Sequence, residues 1–324
     1  MALAPSPLHA LLLDGQGGAT SLTPAEVDAW TPDQGLLWLH LDYTDNEARA
    51  WLEQHSNLPE LAADALLAEN TRPRAAVLGE HLLLALRGVN TNPGADPEDM
   101  VSIRLCISSK RIISTRKRRL LSVIRLVEDL QQGQGPCNSA DLIVQLNERL
   151  VERMGVTVEN LDDQLSDLEL DLLTEPGSEM RNAVRNLRRQ SISLRRYYAP
   201  QRDAFTQLQG ERLEWMTIDN RLALREISDR LLRHIEDLDM LRERAVMAQE
   251  ELASQQSEQL NQRMYVLSII SAIFLPLGFL TGLLGINVGG IPGADNDNAF
   301  LLFLGSLTLM VAGLFWLFRR WRWL

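Results

Sequence analysis

The sequence is poor in the groups that hold metals or carry out covalent chemistry. It has 2 cysteines, Cys106 and Cys137, and 5 histidines, none of them at the i, i+4 spacing of a helical metal pair. Neither cysteine sits in a ligand-like pattern, so both read as reduced structural thiols of the cytoplasm. His9, His40, His55, His81 and His234 are scattered singly and read as ordinary core or surface histidines. No Gly-Lys-Ser/Thr phosphate loop, Gly-x-Ser-x-Gly elbow or His-Glu-x-x-His helix occurs. The chain therefore offers no sign of an enzyme or of a resident cofactor. The opening Met-Ala-Leu-Ala-Pro-Ser-Pro lacks a basic segment and the apolar run Leu11 to Leu13 stops at Asp14, which speaks against a secretory signal.

Charge is missing where it says most. From Met264 to Ala294 there is no Asp, Glu, Lys, Arg or His, and from Asn298 to Phe318 again none. Each stretch reaches or exceeds the roughly 20 residues that cross a bilayer as helix. Two membrane helices are expected, 264–284 and 299–318, joined by a loop over 285–298. Arg319, Arg320 and Arg322 crowd the tail 319–324, whereas the loop carries only Asp295 and Asp297. The positive-inside bias then puts the tail, and with two crossings the N-terminal part, in the cytoplasm. Trp316, Trp321 and Trp323 stand where an interfacial aromatic belt belongs.

Ahead of the spans, the chain is long enough for a large core or two. Its net charge of -11 argues against nucleic acid as a partner and, in an assembly of copies, concentrates cations. Up to residue 136 strand-like and helix-like segments alternate. Leu36 to Leu41, Ala75 to Leu78, Leu82 to Val89, Val101 to Ser108 and Arg111 to Thr115 read as strands. Pro24 to Trp30, Asp45 to Gln54, Glu60 to Ala68 and Leu120 to Gln131 read as helices opened by Thr, Asp or Pro signals. This is an α/β layer domain over 1–136.

Over 137–263 the strand signals stop. Leu142, Leu146, Leu150, Met154, Leu161, Leu165 and Leu172 recur at helical spacing up to Pro176-Gly177. The second half of that helix is acidic, with Asp162, Asp163, Asp167, Glu169 and Asp171, and the next carries Arg181, Arg185, Arg188, Arg189, Arg195 and Arg196. The pair reads as an antiparallel, charge-complementary hairpin. From Thr217 no Pro or Gly interrupts the chain until Pro276, a helix of about 90 Å that runs into the first span. Leu224, Ile227, Leu231, His234, Leu238, Leu241, Ala245, Ala248 and Leu252 form a heptad seam along this stalk.

One chain with two membrane helices cannot enclose a pore, so a conducting protein of this kind must assemble around an axis. On the first span, Met264, Ser268, Ser271, Leu275, Gly278, Gly282 and Gly285 form a stripe of mostly small or polar residues at heptad spacing. The stripe suits either a pore lining or close helix packing. The same phase runs back onto Asp219, Glu226, Asp229, Glu236, Glu243 and Glu250, opposite the leucine seam. These carboxylates read either as the lining of an aqueous funnel or as a solvated outer face, since a straight helix drifts about 20° per heptad. Asn287 offers a neutral amide oxygen at the outer end of the first span. A ring of such oxygens holds a cation through its water shell, which suits magnesium, whereas zinc prefers direct His, Cys or carboxylate ligands.

A cytoplasmic α/β domain, a stalk continuous with the first of two C-terminal spans, and a Gly-x-Asn motif after that span resemble the CorA superfamily of divalent-cation transporters over essentially the whole chain. Most of that superfamily carries Gly-Met-Asn. Here Gly285-Ile286-Asn287 runs into Val288-Gly289-Gly290-Ile291-Pro292-Gly293, a string similar to the ZntB zinc-transporter branch. The resemblance implies an α+β membrane protein that forms a homopentameric funnel in the bacterial inner membrane, with the first span lining the pore and the second outside it. It implies zinc as the transported ion, cadmium, nickel and cobalt as further substrates, and proton-coupled uptake. A passive magnesium channel and zinc efflux are the alternatives within the same architecture. Carried over by position, Gly285, Ile286 and Asn287 belong to the selectivity loop, and Met264 and Leu275 are apolar constrictions of the pore. Proton relays in transporters use ionisable groups within the membrane, and both spans lack them. Asp295, Asp297 and the funnel carboxylates are left as the titrating groups nearest the path. From a different class, a membrane-anchored scaffold would explain the seam but not the uncharged Gly/Asn loop.

Overall fold

The computed structural model describes residues 7–69, 71–172, 178–285 and 296–321. Ile286, Asn287, Asp295, Arg322, Trp323 and the Pro176-Gly177 break lie outside them. The chain divides into two units, Met1–Gln249 and Glu250–Leu324.

The first unit is built on a seven-stranded mixed sheet. Its strands are β1 (His9–Leu13), β2 (Ala19–Ser21), β3 (Leu36–Asp42), β4 (Arg74–Leu78), β5 (His81–Gly88), β6 (Val101–Ile107) and β7 (Arg111–Arg116), in the order β2-β1-β3-β7-β6-β5-β4. β3 pairs with β7 in parallel, with Trp38 opposite Ile112 and His40 opposite Ser114; the other neighbours are antiparallel. β3 reads Leu-Leu-Trp-Leu-His-Leu-Asp and is buried up to its last residue, as expected of a central strand covered on both faces.

Three short helices, α1 (Pro24–Asp28), α2 (Asn46–Gln54) and α3 (Glu60–Leu67), cover one face. Val27, Trp51, Leu52 and Leu66 pack there on Leu37, Leu39, Leu41, Cys106 and Ile113. Local chemistry fixes two of the helix starts. Thr23 and Glu26 close a reciprocal capping box on α1, and Asp45 accepts from the Glu47 N–H at the start of α2. On the opposite face lie α4 (Leu121–Gln131), α5 (Ser139–Leu172) and α6 (Ser178–Gly210). A Cβ on Gly88 would stand 2.6 Å from Leu120 Cδ1, just ahead of α4, and 2.7 Å from Leu150 Cδ2 of α5, so a side chain here would make both leucines shift.

Every helix and strand read from the sequence ahead of residue 136 is present, with ends shifted by one or two residues. Two strands, β1 and β2, come in addition. The apolar run at Leu11–Leu13 is the inner half of an edge hairpin that pairs with β3.

The long helices follow the reading with one change in their charge pairing. α7 (Ile218–Leu284) is a single helix of 67 residues, and its seam residues Leu224, Ile227, Leu231, Leu238, Leu241, Ala245, Ala248 and Leu252 are all buried. The acidic half of α5 finds a cation in α7 as well as facing α6: Arg244 donates to Glu169 at 2.7 Å, to Ser166 at 3.0 Å and to Asp162. Arg195 of α6 pairs with Asp239 of α7 at 2.7 Å. The three helices are thus cross-linked in a triangle, because a third helix carrying both signs reaches across to each of the one-sided pair. Gly155 of α5 makes room for the His234 ring, which lies 2.8 Å from the place a Cβ would occupy.

The second unit holds the remaining turns of α7 and α8 (Ala299–Arg320). Both contain stretches long and apolar enough to cross a membrane, and none of those stretches is buried within the chain.

Candidate ion pathway

The stripe on the first span is a real face of α7. At 3.6 residues per turn, Met264, Ser268, Ser271, Leu275, Gly278, Gly282 and Gly285 fall within an arc of about 100°. Met264 is 65% exposed and Leu275 78% exposed. The Ser268 and Ser271 hydroxyls donate to the carbonyls of Met264 and Leu267, each at 2.8 Å. They are satisfied within the helix and still offer a lone pair outward. Around Gly278 and Gly282 nothing lies within 4 Å of a built Cβ, so this face is open to whatever approaches it.

Two further polar features lie on or beside the stripe, and spacing by sevens passes over both. Pro276 has no N–H to give to the Ala272 carbonyl, which loses its helical donor. Thr281, one position round from Gly285, donates to the Leu277 carbonyl at 2.9 Å. A proline inside an uncharged span was the available signal for the first; the second has none beyond its hydroxyl.

At the C-terminal end of α7, Gly285 closes the helix with its N–H on the Thr281 carbonyl at 2.9 Å. Ile286, Asn287 and Asp295 lie outside the described residues. Asp297 is exposed just before α8, next to Asn296, whose side chain accepts from the Asn298 N–H at 2.9 Å.

The stalk carboxylates Asp219, Glu226, Asp229, Glu236, Glu243 and Glu250 are all exposed, on the side of α7 away from its buried seam. Glu243 lies 3.9 Å from Arg242. Among the described residues, no group of three or more His, Cys, Asp or Glu side chains is placed to hold a metal ion. Cys106 is buried, its thiol pushed up to about 11 by burial, and Cys137 is exposed. The thiols are inert by environment in the first case and isolated in the second.

A sheet-based domain, a helix that runs from it into an uncharged span, and a second apolar helix near the C-terminus make an architecture with two candidate membrane spans. Residues 33–320 match the family of the CorA-like Mg2+ transporter protein, and the chain belongs to that family of divalent-cation transporters. It is 41% identical over 317 residues to the zinc transport protein ZntB of Yersinia enterocolitica, covering 98% of this chain and 96% of the relative. It is 42% identical over 325 residues to the divalent cation transporter CmaX of Pseudomonas aeruginosa, with the same coverage of 98% and 96%. The structure of full-length CmaX superposes with a TM-score of 0.86 over 99% of both chains. The CorA magnesium transporter of Methanocaldococcus jannaschii shares the fold, with a TM-score of 0.83 at 18% identity over 98% of this chain.

Proposed function

We propose that the protein takes up zinc across the bacterial inner membrane as a homopentamer, coupled to protons, with cadmium, nickel and cobalt as further substrates. The observation that carries the metal assignment is the 41% identity to a zinc transport protein over 98% of the chain. Five copies place the stripe of the first span, 264–284, around the axis and the second, 299–318, outside it. Both termini then lie in the cytoplasm and the loop 285–298 outside.

The cation enters past Gly285, Ile286 and Asn287, where a ring of amide oxygens holds its water shell. It passes the small side chains of Ser268, Ser271, Gly278 and Gly282 hydrated, because the span has no His, Cys, Asp or Glu to strip that shell. Met264 and Leu275 are the apolar rings that close the path by dewetting. The exposed acids of the stalk, from Asp219 to Glu250, draw cations to the inner end, and with Asp295 and Asp297 they are the groups available to a proton.

The test is zinc entry into liposomes with a trapped fluorescent dye, with and without an imposed pH gradient. Entry is expected to grow with inward proton drive and to vanish in Asn287→Ala while the oligomer persists. Unchanged entry in that variant overturns the loop assignment, and entry indifferent to pH makes the protein a passive channel. One observation favours a magnesium channel as a second reading: the span lacks every side chain that zinc prefers. Block of flux by hexaamminecobalt, a mimic of hydrated magnesium, would select it.

A further inference from the structure

A cavity of about 370 Å³ opens in the first unit between α4 and the strands β1, β3 and β7, lined by none of the residues assigned to the ion path. Its volume is within the range of about 300–1,000 Å³ usual for small-molecule sites. One side presents His9, His40, Arg116 and Arg119; the other is apolar, with Leu8, Val123 and Val127.

The two histidines, far apart in sequence, face each other across the β1–β3 pair with ring centroids 6.0 Å apart. His40 is wholly buried. Its Nδ1 lies 2.8 Å from Ser114 Oγ, which accepts from Trp38 Nε1 at 2.9 Å and donates to the Leu39 carbonyl at 3.2 Å. With the hydroxyl proton on the Leu39 carbonyl, Nδ1 carries the ring hydrogen and Nε2 accepts; with it on Nδ1, Nε2 donates. That Nε2 is buried and has no partner. Burial, reinforced by the charge of Arg116, holds His40 down at about 3, so the ring is neutral in the cell.

The mouth carries two guanidiniums, Arg116 and Arg119, with two carboxylates near them. Arg116 Nε is buried without a hydrogen-bond partner; burial lowers the Arg116 pKa, the charge of Asp42 raises it and that of Arg119 lowers it. Asp42, opposite Arg116 in the β3–β7 register, accepts from the Thr44 N–H at 2.9 Å and its hydroxyl at 2.6 Å. Glu128, on the cavity wall, accepts from Arg125 at 2.8 Å. A metal cation would meet two guanidiniums, a single pair of imidazoles and the one carboxylate of Glu128, which Arg125 already engages. An uncharged apolar guest would leave Arg116 Nε and His40 Nε2 unsatisfied, at a cost for each buried polar group.

We propose that this cavity binds a small hydroxylated organic acid with a hydrocarbon body. Its carboxylate lies on Arg116 and Arg119, its hydroxyl hydrogen-bonds His40 Nε2, and its hydrocarbon covers Leu8, Val123 and Val127.

The probe is 5-fluorosalicylate, followed by fluorine NMR on the full chain in lipid nanodiscs. Saturable binding at one site per chain is expected, weakened about tenfold or more in Arg119→Gln and in Arg116→Gln. The uncharged 5-fluorosalicylamide should bind about tenfold more weakly, and 3-fluorobenzoate, which lacks the hydroxyl, severalfold more weakly. Arg119 is exposed, so its variant reports even if the Arg116 one misfolds. Equal binding of acid and amide, full binding in Arg119→Gln, or no saturable binding overturns the proposal. So does displacement by inorganic phosphate at equal affinity, or by Zn2+ in a manner lost in His9→Ala, which would make the pair a cation site.

Discussion

The two ends of α7 dispose of their apolar residues in opposite ways. In the stalk, Leu231 and Leu224 are fully buried; in the span, Leu275 is 78% exposed and Phe274 and Phe279 are each 67% exposed. The stalk buries its seam within its own chain, where α5 and α6 reach it through Arg244, Arg195 and the Gly155 notch. Among the described residues, none of the most apolar window of the span is buried. Its apolar surface belongs to the bilayer and, in the pentamer proposed above, to other copies. The same residue type therefore contributes to intrachain stability in one half of the helix and to insertion and assembly in the other.

Substitutions can break or sharpen that contrast. The largest effect is expected from Leu231→Ala, which leaves a cavity in the seam and should cost about 3 kcal/mol in denaturant unfolding of the first unit. Next comes acid. The folded pKa of His40 is about 3, below its ordinary 6.5, so the unfolded chain takes up the proton first as pH falls. Its contribution is complete above about pH 6.5 and is lost below it, by about 2 kcal/mol at pH 5; His40→Asn should flatten the profile. Arg244→Ala removes half-exposed pairs to Asp162 and Glu169 and should cost about 1 kcal/mol, shrinking in high salt. The smallest change belongs to Leu309→Ala in α8, 76% exposed, which should alter the unfolding free energy of the first unit by less than about 0.5 kcal/mol. A Leu309 effect as large as that of Leu231 would mean that the span, too, is held by its own chain.

Much of this organisation was legible in the residues, because helices and buried strands advertise themselves by period. The seam from Leu224 to Leu252 is read directly from its 3,4 spacing, and β3 from its apolar run. β1 and β2 were not: His9–Leu13 is short, lies between prolines and the Gly15-Gln16-Gly17-Gly18 turn, and owes its order to β3, which follows it through a loop and a helix. The choice of ion-pair partner was also hidden. Periodicity fixes which face a charge occupies, not which neighbouring helix comes to it, and Arg244 reached α5 from a third helix. His9 and His40, scattered by sequence, meet only because β1 and β3 pair in that register. At the candidate path the stripe is a continuous face as read, while Thr281 and the carbonyl released by Pro276 needed the helix to be seen.

The single parallel pair in the sheet also sets a clock for synthesis. β3 ends at Asp42 and its partner β7 begins at Arg111, so at roughly 5–20 residues per second a ribosome needs about 3–14 s to deliver the second strand after the first. During that interval β3, apolar on both faces, has only the β1 hairpin beside it and an open edge on the other side. Such an edge invites a foreign strand. Nascent chains of this protein should depend on whatever shields that edge, a chaperone or slow translation, well before any part of them meets the membrane.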